Sequence, residues 1–173
     1  MITYFKGVNN MYISDATYEA LNNFLTKNFQ MNSFCDNIAY NLGYRKMAST
    51  EPLFHEKFAH AFPQLADTIS DLMLRLEARP VRGNLNSNII EYQSNVDMFT
   101  DLKREVDAYR LDIFRVIDVA DINNDIEVKV EMENFSATFL PYVDQVNLWH
   151  KKALEYGDAV EKFDHDFPAF TKL

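Results

Sequence analysis

Residues 53–83 read LFHEKFAHAFPQLADTISDLMLRLEARPVRG. Phe54, Phe58, Phe62, Leu65, Ile69, Leu72 and Leu76 recur three or four residues apart, which places them on one stripe of a helix. Thr50-Glu51-Pro52 precedes the stripe and puts a proline in the first turn, where a missing N–H costs nothing. Pro63 falls inside the stripe and predicts a bend. Arg79-Pro80-Val81-Arg82-Gly83 closes it. The stretch predicts a helix over 51–79 that buries one face.

Three more stripes of the same period flank it. A first helix is predicted over about 15–42, opening at Ser14–Asp15 with Glu19 close behind, and ended by Gly43. Its inward positions are Tyr18, Leu21, Leu25, Phe34, Ile38 and Leu42. Residues 84–93 form a long connection with a short helix around Asn88–Gln93. A third helix, about 94–121, carries Val96, Phe99, Leu102, Val106, Tyr109, Ile113, Val116 and Ala120. After a turn at Ile122-Asn123-Asn124, a fourth runs over about 125–156, with Ile126, Val130, Phe135, Phe139, Val143 and Val146 inward. Pro141 predicts a second kink, and Gly157 stops the helix. Residues 158–173 are an aromatic, mildly acidic tail. Four helices, two short links and one long central connection describe a single all-α domain, a ferritin-like four-helix bundle with a long crossover between the second and third helices.

Composition agrees. Gly (4) and Pro (5) are too scarce for a many-turned β fold, and 47% apolar residues over 173 positions supply a sizeable core. The net charge of −9 repels phosphates and disfavours nucleic acid as a direct partner. A lone cysteine, Cys35, excludes an intrachain disulfide and suits a reducing cytoplasm. The opening residues hold no apolar run of leader length, and no stretch approaches a membrane span.

Bundles of this kind do oxidative chemistry with inward carboxylates and imidazoles, and the large di-iron class uses Glu-x-x-His. The four histidines here are His55, His60, His150 and His165, and none has Glu three residues before it. A di-iron oxidase is therefore disfavoured. The second helix resembles instead that of the Dps (DNA-protection-during-starvation) mini-ferritins. The resemblance rests on His55-Glu56 at the opening, the ladder Phe58, Phe62, Leu65 and Ile69, the late Arg75, and the exit through Pro80 and Gly83. Helix lengths and order extend it over residues 15–156.

The resemblance implies a subunit of a hollow dodecameric shell, a homo-oligomer that stores iron and spares DNA from iron-driven oxidation. The family's iron sites lie between subunits. His55 matches one ligand, while the other ligand positions fall at Gly43, Ala59, Ser70 and Leu74. One imidazole does not hold a pair of irons, so the resemblance implies weak ferroxidase activity at most, through a degenerate or displaced site.

Substitute metal positions are Asp67 with Asp71, and Glu56 with His60, each one helical turn apart. A solvated helix face is the commoner reading of both pairs. Asp121 and Asp125 flank the last interhelical turn, where the family's acidic residues line cation pores; Asn and Asp also favour turns without any such role. Asp164-His165-Asp166 reads either as a small clip or as a solvated tail. Neither terminus forms a basic arm: residues 1–14 contain only Lys6, and Lys162 and Lys172 face four acidic groups in the tail. Binding to DNA would rest on avidity. Two functions stay open: an iron-sequestering shell, and a ferritin-like structural or interaction module without metal chemistry.

Overall fold

The computed structural model describes residues 11–173. The stretch searched above for a leader and a basic arm falls mostly on residues 1–10, outside the described residues. Within 11–173 the chain forms helices and no strands. They are α1 (Asp15–Tyr44), α2 (Thr50–Phe54), a π-helical turn (His55–Ala59), α3 (Ala61–Arg75), α4 (Asn95–Ile122), α5 (Ile126–Tyr156), α6 (Val160–Asp166) and a closing 3-10 turn (Phe167–Phe170). No helix among the described residues is long and apolar enough to cross a membrane.

The long helices run in alternating senses around one core. α3 descends beside α1, so that Tyr12 N–H donates to Leu76 O at 3.1 Å and Tyr18 Oη donates to Arg79 O at 2.9 Å. α4 also runs against α1. Tyr109 Oη donates to Asn28 Oδ1 at 2.7 Å inside the bundle. At the far end, Asp125 accepts from Ser14 N–H at 3.2 Å and from Ser14 Oγ at 2.8 Å. α5 returns along the bundle, setting Phe135 edge-on to Phe24 of α1 and tilting Phe139 against Phe62 of α3 and Trp149 against Phe54 of α2. Phe54, Phe58, Phe62, Tyr109, Phe139 and Trp149 are all below 2% exposed. Their edge-to-face and tilted pairs make an aromatic spine through the core. Cys35 lies in the same core, and burial pushes its thiol pKa up, which leaves it unreactive.

Two of three helix exits differ from those the sequence suggests. α1 runs past Gly43 to Tyr44, and α3 ends at Arg75 rather than near 79. In each case a non-glycine residue takes the left-handed conformation: Lys46 (φ 62) after α1, Glu77 (φ 55) after α3 and Asn124 (φ 58) after α4. The next N–H then reaches back five residues, from Met47 to Leu42 O (3.1 Å), Ala78 to Met73 O (2.9 Å) and Asp125 to Ala120 O (2.9 Å). Only Asn124 is of a type that signals such an exit, which is why that turn is legible and the other two are not. Glu77 bears a left-handed strain that glycine lacks. Glu77→Gly is expected to raise stability by about 0.5–1 kcal/mol and Tm by about 2–3 °C in a thermal melt.

The helix expected over 51–79 is interrupted. Phe54, Phe58 and Phe62 are spaced by four, and each step overshoots a regular turn by about 40°. Pro63 has no N–H for the Ala59 carbonyl, and its ring crowds that oxygen. The wider turn at His55–Ala59, closed by His60 N–H to His55 O at 3.1 Å, absorbs both problems and keeps all three rings inward. A π turn thus stands just ahead of the proline. α5, by contrast, continues unbroken through Pro141.

The phase of α5 is corrected at its start. Val128 and Met132 are buried, while Ile126 and Val130 are about half exposed. Both pairs are spaced i, i+4 and lie on opposite faces, so periodicity alone could not choose between them.

The long connection contains no helix at Asn88–Gln93. It is an extended strap bonded to a polar stripe of α1. Asn22 Oδ1 accepts from Val81 N–H (2.6 Å), Thr26 Oγ1 from Gly83 N–H (2.9 Å) and Gln30 Oε1 from Asn86 N–H (2.8 Å). Asn88 Nδ2 donates to Ser33 Oγ (2.9 Å), Asn37 Nδ2 to Ile90 O (3.0 Å), and Asn41 Oδ1 accepts from Tyr92 N–H (2.9 Å). Arg45 ends the ladder on Gln93 O (2.8 Å). A helix over 88–93 would withdraw these backbone groups from their partners. From Asn22 to Asn41 α1 rises about 28 Å; only a chain as straight as the strap covers that length in so few residues.

The tail is structured. Phe163 and Phe167 are fully buried and Phe170 nearly so, packed around Phe99, Trp149 and Tyr156. Trp149 Nε1 donates to Thr171 Oγ1 at 3.0 Å, and Gln145 Nε2 donates to Phe170 O at 2.8 Å.

Candidate metal site at a π-helical turn

The π turn determines where the imidazoles go. On a regular helix, residues five apart point about 140° away from each other. In the wider turn, the His55 and His60 rings lie 4.4 Å apart between centroids. Glu56 joins them, with Oε2 at 3.5 Å from His60 Nδ1. One ligand atom from each of His55, Glu56 and His60 lies within 4.8 Å of the others. Two carboxylates from neighbouring elements face His55. Asp36 Oδ1 of α1 stands 3.5 Å from Nε2, and Glu51 Oε1 of α2 stands 3.6 Å from Nδ1. His55 is partly covered, and Glu56 and His60 open to solvent.

The remaining candidates separate. Asp67 and Asp71 are exposed on α3, about two and three turns beyond His60, and away from the cluster. Asp121 pairs with Lys129 Nζ at 2.7 Å, and this hydrogen bond raises the Lys129 pKa. Asp125 is buried and engaged with Ser14, so its carboxylate serves the start of α1. Asp164 accepts from Thr50 N–H at 2.7 Å and Ser49 N–H at 3.1 Å, capping α2 from the far end of the chain. Asp166 instead accepts from Tyr156 Oη at 2.8 Å and lies 2.7 Å from His165 Nδ1, and these contacts hold its pKa below the usual carboxylate range. The three residues 164–166 therefore do not converge. His150 Nε2 sits 3.2 Å from Thr100 Oγ1.

Of the positions matched to the family's ligands, Ala59 is buried and Leu74 is exposed. Ser70 spends its hydroxyl on Asp67 O at 3.0 Å. Arg75 lies 3.7 Å from Glu131 on the surface. His60 is the group that sequence spacing paired with Glu56 but not with His55. The usable signal was Pro63, which predicts a broken helix one turn earlier and so a change in which residues share a face. No protein-family model matches the chain, and no curated protein is significantly similar to it.

Proposed function

We propose that this chain is a ferritin-like iron-sequestering subunit whose cation site is displaced to the π turn. The observation that carries the reading is the gathering of two imidazoles and three carboxylates, His55, His60, Glu56, Asp36 and Glu51, at one place on the side of the bundle. Mixed nitrogen and carboxylate donors suit Fe²⁺. The order of the long helices, with a connection running the length of α1, supports the ferritin-like assignment. A site of this size does not pair two irons, so oxidation of Fe²⁺ is slow and the protein acts chiefly by holding the ion.

Assembly into a shell draws support from large apolar side chains that face outward. Tyr44, Ile89 and Ile122 are each at least 79% exposed, and Tyr40, Leu74 and Ile126 accompany them. DNA is spared by removal of free Fe²⁺ rather than by coating, since a net charge of −9 opposes phosphate contact. Twelve copies of a 20.2 kDa chain sediment at about 240 kDa. Sedimentation is expected to show that species, and aerobic Fe²⁺ addition a slow rise in near-ultraviolet absorbance with iron retained on gel filtration. A monomer that retains no iron rejects the reading. An assembled particle that retains none favours the structural module, which the outward apolar residues would equally serve.

A further inference from the structure

We propose that the π turn builds a two-imidazole, one-carboxylate chelate from His55, Glu56 and His60 within a single chain, for one divalent cation of the borderline class: Zn²⁺, Co²⁺, Ni²⁺ or Fe²⁺. The proposal names the ligands and ion class of the site invoked above. It rests on that reading only for iron as the cargo.

Three features carry it. The first is proximity that regular helix geometry forbids: two rings five residues apart meet at 4.4 Å. The second is donor type. Imidazole nitrogen suits borderline ions, whereas Mg²⁺ and Ca²⁺ take oxygen ligands. The three donor atoms lie within 4.8 Å of one another, and a shared ion with bonds of about 2.0–2.2 Å would draw them closer together. The remaining coordination positions face solvent and take water. The third is support around the ligand that α1 and α2 share. Each ring nitrogen of His55 has its own carboxylate, Asp36 at Nε2 and Glu51 at Nδ1. Whichever nitrogen binds the ion, the other keeps an acceptor that fixes the ring. Asp36 and Glu51 are thus positioning residues. Their charge also offsets that of the cation.

The test uses the full chain, freed of metal and titrated with Co²⁺ and with Zn²⁺. One Co²⁺ per chain is expected, with visible absorption bands of nitrogen–oxygen coordination. On Zn²⁺ addition, ring nitrogen resonances of His55 and His60 are expected to shift while those of His150 and His165 stay. His60→Ala and Glu56→Gln should each weaken Co²⁺ binding, His60→Ala by on the order of a hundredfold. Asp36→Asn should weaken it by about tenfold without changing the stoichiometry. His60 and Glu56 are exposed, so these variants keep the fold, as circular dichroism will confirm. Absence of Co²⁺ binding, or His60→Ala binding as tightly as the parent chain, overturns the proposal. Failure of iron retention with Co²⁺ binding intact removes the storage reading and leaves this site standing. Iron retention with an unaltered His60→Ala titration does the reverse.

Discussion

Removal of residues 158–173 is expected to abolish cooperative folding near physiological temperature. The deletion takes away Phe163, Phe167 and Phe170, each at most 8% exposed in the intact chain. At about 1.5–3 kcal/mol for each buried ring, the loss is roughly 5–9 kcal/mol, comparable with the whole stability of a domain this size. It also uncovers Trp149 and Phe99 and strips Asp164 from the start of α2. The truncated chain should lose its near-ultraviolet circular dichroism, dominated by the single tryptophan, bind a hydrophobic dye and melt without a sharp transition. A melting point within a few degrees of the full chain would show that the tail is an appendage and not part of the core.

Asn41→Ala is expected to cost about 2–4 kcal/mol, seen as a lower midpoint in urea with an unchanged slope. Asn41 donates through Nδ2 to Ile90 O at 2.9 Å and to Asn37 O at 2.8 Å, and accepts from Tyr92 N–H at 2.9 Å. Alanine leaves the buried Tyr92 amide without a partner in a place that water reaches poorly. The exposed rung Gln30–Asn86 provides the comparison. There water replaces the lost side chain, and Gln30→Ala should cost under about 1 kcal/mol. Equal effects at the two positions would mean that burial does not grade the ladder.

The stripes at Phe54 to Leu72, Phe99 to Ala120 and Phe135 to Val146 were legible because each long helix has one buried face, and the 3.6-residue period records it. What the period does not record is where a helix leaves that geometry. His55 and His60 look unrelated on a regular helix and meet only because Pro63 and the Phe54–Phe58–Phe62 spacing widen a turn. The exits at Lys46 and Glu77 were hidden because neither residue type advertises a left-handed conformation. The polar positions Asn22, Thr26, Gln30, Ser33, Asn37 and Asn41 fall three or four apart and mark a second face of α1. That face carried a periodic signal, but polar periodicity is ordinarily the signature of solvent. Asp164 was visible as an acidic residue in a tail, yet nothing local indicates that it caps a helix more than a hundred positions earlier.

The strap has a genetic consequence. Surface connections usually accept inserted or missing residues because their backbone answers only to water. Here successive rungs tie fixed positions of an extended chain to fixed positions of a helix, as teeth on one rack engage another. Adding or removing one residue between Val81 and Tyr92 would misalign every later tooth and turn alternate side chains to the wrong side. Relatives of this chain should therefore keep the length of this connection and the polar stripe of α1 that faces it, even where the letters of the connection drift.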